Sequence, residues 1–370
     1  MKYYIIAGEA SGDLHGSNLI RELKNRDTAA EIRFWGGDLM KAAGGTLVKH
    51  YSELAFMGFV EVVANLRTIL RNLDFCKQDI RQFKPDLLIF IDYPGFNLRV
   101  ASWAKREGFK TVYYISPQVW AWKENRVKTI KESIDKMLVI LPFELEFYKK
   151  WNYPVTYVGH PLAEVISRFK EEHASIQRNP RLIALLPGSR KQEILKKLPV
   201  MLATSRFFPD YSFVVAKAPG VSDDFYSPLL AGFPNVSTTS NATYEVLMQA
   251  TAALVTSGTA TLETALFGVP EVVCYKGNKI SYLIAKRLIK VKYISLVNLI
   301  MDRLVVKEMI QDDMNPENLK SELNELLHNT DYRNRILEDY GQLNALLQKG
   351  GNASAQAADE IWNWLQQTGA

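Results

Sequence analysis

Asp92 stands where a base could work. It closes the apolar run Leu87–Ile91 and opens the segment Asp92-Tyr93-Pro94-Gly95-Phe96-Asn97. Open α/β sheets bind ligands at the carboxyl ends of their strands. Pro94 and Gly95 permit a bend that turns the carboxylate toward such a crevice. A general base there contributes roughly 10²–10⁴-fold to a rate. The competing role is an N-cap for the helix that starts near Phe96. A glycine turn at Gly8-Glu9-Ala10-Ser11-Gly12-Asp13 also follows a strand, and it carries Glu9 and Ser11. Its spacing is not that of a dinucleotide fingerprint or a P-loop. It either offers N–H groups and a helix dipole to an anion, or makes a tight turn that Asp13 caps. His15 reads as structural. After the strand Thr111–Ile115 come Gln118, Trp120, Trp122 and Lys123. Indole faces stack on sugars and Gln118 can bond hydroxyls, although at least one of the two tryptophans is expected to pack as core.

The second half carries groups suited to a diphosphate. Leu186-Pro187-Gly188-Ser189-Arg190 follows an apolar run and opens a helix, with Arg190 able to grip phosphate through two N–H groups. Thr256-Ser257-Gly258-Thr259-Ala260-Thr261-Leu262-Glu263 does the same. Its small residues let backbone N–H groups approach, and Ser257, Thr259 and Thr261 add hydroxyls. Glu263 could accept from ribose hydroxyls. Two such turns in one domain favour a nucleoside-diphosphate site. No metal is expected, because the sequence has no H-E-x-x-H, no paired cysteines, and no two aspartates separated by one residue. Helix termini and Arg190 would then stabilise the leaving diphosphate.

Short β-type runs alternate with helical patterns and must position these groups. Strands are predicted at Tyr3–Ala7, Ile32–Trp35, Leu87–Ile91, Thr111–Ile115, Met137–Leu141 and Val155–Val158. The second half adds Leu182–Leu186, Ser212–Ala216, Ala252–Thr256 and Glu271–Tyr275. Continuous apolar runs mark strands covered on both faces. The β-α-β order predicts parallel sheets with right-handed crossovers. The fold expected is α/β, two Rossmann-like doubly wound domains facing a cleft. They span 1–165 and 180–345, with a polar connector between His160 and Pro180. A helical segment at 350–370 should dock on the first domain or on a partner subunit.

At 370 residues, two domains are expected. Hydrophobic residues at 47% and charged residues at 23% exclude a disordered chain. Cys76 and Cys274 lie far apart in apolar surroundings, which suits a reducing compartment. The apolar run after Met1 is too short for a signal peptide, and no stretch reaches the ~18 residues of a membrane span. A cytoplasmic location is expected. A formal charge of +5 suits phosphate-bearing ligands or an anionic bilayer better than a long nucleic acid. Basic amphipathic patterns recur around 56–73 (Arg67, Arg71) and 279–292 (Lys279, Lys286, Arg287, Lys290, Lys292). Such patterns either rest on a membrane surface or pack as core.

Taken together, GEASGDLHG at 8–16, MGFVEV at 57–62, IDYPGFN at 91–97, SPQVWAWK at 116–123, LPFE at 141–144, VGHP at 158–161, LPGSR at 186–190, SGTATLE at 257–263 and YISLVNL at 293–299 resemble the bacterial lipid-A-disaccharide synthases. The resemblance implies a metal-independent, inverting glycosyltransferase of the B type without cofactor, peripheral to the inner membrane's cytoplasmic surface. Its substrates would be UDP-2,3-diacylglucosamine and 2,3-diacylglucosamine 1-phosphate, its products a β-1′,6-linked disaccharide 1-phosphate and UDP. It implies Asp92 as base, with Glu9 next in line. Gly188, Ser189, Arg190, Ser257, Gly258, Thr259, Ala260, Thr261, Glu263 and Asn298 would lie on the UDP side. Ser11, Gln118 and Trp120 would lie on the acceptor side. Many relatives have a second aspartate where this chain has Gly95. A homodimer is the expected assembly. Competing readings are a UDP-N-acetylglucosamine 2-epimerase and a non-catalytic UDP-binding protein of the membrane surface.

Overall fold

The computed structural model describes residues 1–53, 66–122, 124–278 and 292–368, and the chain divides into two compact units. One comprises Met1–Pro161 with Leu347–Ala370, the other Leu162–Leu346.

In the first unit the strands are β1 (Lys2–Ala7), β2 (Glu31–Gly36), β3 (Thr46–His50), β4 (Leu87–Ile91), β5 (Thr111–Tyr114), β6 (Lys136–Val139) and β7 (Thr156–Tyr157). The helices among the described residues are α1 (Ala10–Arg26), α2 (Asp38–Ala42), α3 (Leu66–Phe83), α4 (Pro94–Arg106), α5 (Val119–Trp122), α6 (Arg126–Ser133) and α7 (Glu144–Lys149). The strands form one parallel sheet in the order β3-β2-β1-β4-β5-β6-β7. The order reverses direction between β1 and β4, where the crevice of a doubly wound sheet opens. Both strands are apolar and fully covered, from Tyr3 to Ala7 and from Leu87 to Ile91. Polar groups that reach this core bond to one another. Tyr4 Oη donates to Asp79 Oδ2 at 2.7 Å, Trp35 Nε1 donates to Tyr4 Oη at 2.9 Å, and Arg33 pairs with Asp79 at 2.6 Å.

The second unit takes over at Leu162, near the start of α8 (Pro161–Glu172). Its strands are β8 (Leu182–Leu186), β9 (Ser212–Lys217), β10 (Val236–Ser240), β11 (Ala252–Thr256), β12 (Glu271–Tyr275) and β13 (Lys307–Ile310). Its described helices continue with α9 (Lys191–Ser205), α10 (Asp223–Leu230), α11 (Thr243–Gln249), α12 (Thr259–Leu266), α13 (Leu296–Met301), α14 (Pro316–His328) and α15 (Thr330–Gln348). The sheet is again parallel, ordered β10-β9-β8-β11-β12-β13, with the reversal between β8 and β11.

The polar stretch after His160 is thus structured. Phe169 of α8 packs edge-on to Tyr244 and Phe267, and Lys170 donates to the Leu266 carbonyl. The second unit therefore begins some way before the 180 expected from the charge pattern. The terminal helix α16 (Ala353–Gln367) returns to the first unit and packs on α1. Arg26 holds Asp359 through two bonds of 2.6 and 2.9 Å, and Lys136 pairs with Glu360 at 2.7 Å. The basic amphipathic pattern at 279–291 and the MGFVEV segment lie outside the described residues. Among the described residues, no helix is long and apolar enough to cross a membrane.

Candidate active site

In the first unit the register pairs Ala7 with Ile91, so Gly8 and Asp92 leave the sheet side by side. Tyr93 lies over the glycine turn. A Cβ on Gly8 would fall 2.3 Å from its ring, so only glycine admits this contact. Asp92 and Tyr93 both have left-handed backbones, with φ of 43° and 50°. Such residues cost of order 1–3 kcal/mol each and persist only where the surroundings hold them. Here Asn97 Nδ2 donates to the carbonyls of Ile6, Ile91 and Asp92 at 3.3, 3.2 and 2.7 Å, stapling the ends of β1 and β4 together. The Tyr113 hydroxyl donates to the same Asp92 carbonyl. The N-cap of α4 is Tyr93, and no side chain caps it, so the capping role open to Asp92 is not the one adopted.

Burial, reinforced by the nearby Glu9 carboxylate, raises the Asp92 pKa to about 6. A carboxyl tuned this way is ionised at neutral pH yet basic enough to accept a proton. Glu9 and Ser11 are exposed at the start of α1, and Gln118 is exposed after β5. Trp120 is buried, edge-on to Phe143 with centroids 4.9 Å apart, so its ring packs inward rather than offering a face to a ligand. Asp13 caps α2, not its own helix, accepting from the N–H groups of Gly37, Leu39 and Met40 at 2.8–3.1 Å. His15 is half-buried, and desolvation of its ring lowers its pKa to about 4, in keeping with a structural role.

In the second unit Val255 pairs with Leu186, which brings the two glycine turns together at the strand-order reversal. Between them lies a cavity of about 340 Å³, lined by Gly188, Ser189, Arg190, Ser257, Gly258, Thr259, Ala260 and Glu263 among others. Gly188 and Gly258 take φ of 123° and 147°, backbones that suit glycine. Glu263 accepts from the Tyr244 hydroxyl at 3.1 Å, and burial raises its pKa. Ser257 Oγ is turned onto the Ile294 carbonyl at 2.8 Å.

Two residues expected at this site are placed otherwise. Thr261 is buried and donates to the Gly258 carbonyl at 2.8 Å, closing the first turn of α12 outside the cavity lining. Asn298 is fully buried and saturated. Its Nδ2 donates to the Val306 carbonyl and Glu308, and its Oδ1 accepts from the N–H groups of Val305 and Val306, all at 2.8–3.0 Å. It fastens α13 to the approach of β13. Glu193, Lys217 and Thr243 also line the cavity without having been singled out from the sequence. Lys217 ends β9, the neighbour of β8, and strand order alone would have pointed to it.

A family profile described as lipid-A-disaccharide synthetase matches residues 3–361. The chain belongs to the lipid-A-disaccharide synthase family. The lipid-A-disaccharide synthase of Geobacter sulfurreducens is 40% identical over 357 residues, covering 94% of this chain and 93% of the relative. That of Coxiella burnetii is 38% identical over 370 residues, covering 98% of each. Among solved structures, the glycotransferase of kitacinnamycin superposes with a TM-score of 0.68 at 16% identity, over 98% of this chain and 99% of that one. The UDP-GlcNAc 2-epimerase of Neisseria meningitidis, bound to UDP-GlcNAc, gives 0.67 at 13% identity, over 98% and 100%. These last two are likenesses of fold. As a member of the lipid-A-disaccharide synthase family, the chain is a B-type glycosyltransferase that forms a disaccharide in lipid A biosynthesis.

Proposed function

We propose that the protein transfers 2,3-diacylglucosamine from UDP-2,3-diacylglucosamine to the 6-hydroxyl of 2,3-diacylglucosamine 1-phosphate, releasing UDP. The observation that carries this reading is the pairing of two different switch-point sites. One is a diphosphate-sized cradle of glycine turns with Arg190, and the other is a carboxyl raised to about 6.

In this scheme the second unit binds the donor. N–H groups of the Gly188–Ser189 and Gly258–Thr259 turns and the Arg190 guanidinium face the diphosphate, and Glu263 takes the ribose. The first unit binds the acceptor near Ser11 and Gln118, with Trp120 supporting that loop from beneath. The acceptor oxygen attacks the anomeric carbon from the face opposite the diphosphate, which inverts the centre to the β-1′,6 linkage. As the new C–O bond forms, its proton passes to Asp92 and the bond to the diphosphate breaks. Charge developing on the leaving UDP is met by the oriented N–H groups and Arg190, donors worth roughly 10²–10³-fold apiece, with no metal ion required. In this scheme acylated substrates draw the enzyme to the cytoplasmic face of the inner membrane as a peripheral protein, and a homodimer is the assembly to be tested.

The test is incubation of the purified protein with both lipid substrates in EDTA, followed by mass spectrometry. A disaccharide monophosphate with stoichiometric UDP is expected. Release of free sugar without disaccharide, or activity on an unacylated sugar nucleotide alone, would overturn the reading. Light scattering of the purified protein checks the assembly.

A further inference from the structure

Lys197 is buried, with 4% of its surface exposed, although lysine is almost never fully buried unless paired. It lies on α9 beneath the cavity of the second unit. Glu193 and Lys197, four residues apart on α9, share one face of the helix, and Arg190 is its N-cap. Lys197 Nζ donates to Thr256 Oγ1 and lies 3.9 Å from Glu193 Oε2. Thr256 is the last residue of β11, immediately before the Ser257–Gly258 turn. A Cβ on Gly188 would meet Glu193 Oε2 at 2.6 Å and Lys197 Nζ at 3.5 Å. The ammonium thus bonds the residue that leads into one glycine turn and lies close beneath the other, in the space a side chain at position 188 would need.

Glu193 presents a difficulty that Lys197 resolves. Its carboxylate lines a cavity whose other features suit an anion. Arg190 Nη1 approaches Glu193 Oε1 at 3.5 Å, so an uncompensated Glu193 would both repel a diphosphate and draw the guanidinium toward itself. The remaining groups that act electrostatically on Lys197 are Arg190 and Lys196 from its own helix and the buried Cys274 from β12. Glu193 is the carboxylate among them.

We propose that Lys197 is a positioning residue of the diphosphate cradle, bracing the Thr256–Gly258 turn and neutralising Glu193 from below so that Arg190 faces the ligand. This deepens the reading of the cavity as a UDP site and rests on it. Burial lowers the Lys197 pKa. The neutralisation is therefore lost at a lower pH than an exposed lysine would lose its charge.

The experiment is calorimetric titration of UDP into the full-length protein from pH 7 up to the ordinary lysine value of 10.5, with Lys197→Met, Glu193→Gln and the double variant in parallel. Comparing proteins at each pH cancels the titration of uridine itself. K197M, which keeps the apolar stem, should bind UDP about tenfold more weakly at pH 7, and the gap to the unaltered protein should narrow before the ordinary lysine value of 10.5 is reached. Adding E193Q to K197M should recover most of the loss, because the charge needing compensation is gone. Such rescue is not expected if Lys197 merely fills space. Unchanged affinity in K197M, or no recovery in a folded double variant, overturns the proposal. Should K197M not fold, Thr256→Val carries the test: UDP affinity should fall several-fold and its alkaline loss should begin at lower pH, and an unaltered profile overturns the proposal. Absence of UDP binding by the unaltered protein overturns the cavity's assignment itself.

Discussion

Replacing Asp92 by asparagine separates the base from everything else that residue does. The backbone at 92 is left-handed, a conformation in which Asn is about as comfortable as Asp and which alanine would strain. The bonds that hold it, from Asn97 and Tyr113, end on the Asp92 carbonyl and are untouched by the change. D92N should therefore keep its melting temperature and its affinity for UDP, and lose only proton acceptance. Removal of a positioned base predicts a fall in kcat of roughly 10²–10⁴-fold. The pH profile gives a second reading. With a pKa of about 6, the carboxylate of the unaltered enzyme is mostly ionised at pH 7. Activity should then fall as pH drops through 6, approaching tenfold per unit below it. D92N should lack this acid limb. Because burial is the larger cause of the shift and Glu9 the second, Glu9→Gln should move the limb modestly toward lower pH while preserving turnover at pH 8. Steady-state rates from disaccharide formation between pH 5 and 8.5 decide the matter. Activity within a few-fold of normal in D92N, or an acid limb that survives it, would refute the reasoning, and collapse of activity in E9Q would move the base to Glu9.

Other outcomes follow from the same geometry. Gly8→Ala forces a methyl to within 2.3 Å of the Tyr93 ring, so overpacking should cost about 1–3 kcal/mol, read as a lower melting temperature together with loss of turnover. Arg190→Gln should lower kcat by roughly 10²-fold and weaken UDP in calorimetry, since a charge-assisted donor to the leaving group is gone. Glu271, fully buried at the start of β12, has neither carboxyl oxygen hydrogen-bonded among the described residues, and burial raises its pKa far above the usual carboxylate value. The folded state keeps this proton while the unfolded chain releases it near pH 4, so stability should decline as pH rises above that point. Glu271→Met should flatten that decline and raise the melting temperature most at pH 8. Equal stabilisation at pH 5 and pH 8 would count against this account.

Much of this protein is written locally. β1, β4, β8 and β11 are runs of four to six apolar residues between turn residues, and burial on both faces leaves no other composition for a central parallel strand. The glycine turns and Asp92 could be placed at their ends because those strands were legible. β3, β10 and β13 were not, and each lies at an edge of its sheet. An edge strand is paired on one side only and tolerates polar residues, as Val-Ser-Thr-Thr-Ser in β10 illustrates. Other assignments exist only once the chain has folded. That Gly8 neighbours Asp92 and that Pro187 neighbours Thr256 follows from strand order, which no local pattern encodes. Asn298 and Thr261 look like ligand-binding groups in the sequence, yet the folded chain uses their hydrogen bonds on its own backbone. Asn97, Tyr113 and Lys197 look like ordinary helix and strand residues, yet they fasten the two sites. A side chain's chemistry is set by its type, but whether that chemistry faces a ligand or the protein depends on which distant backbone lies within reach of it, and only tertiary packing decides that.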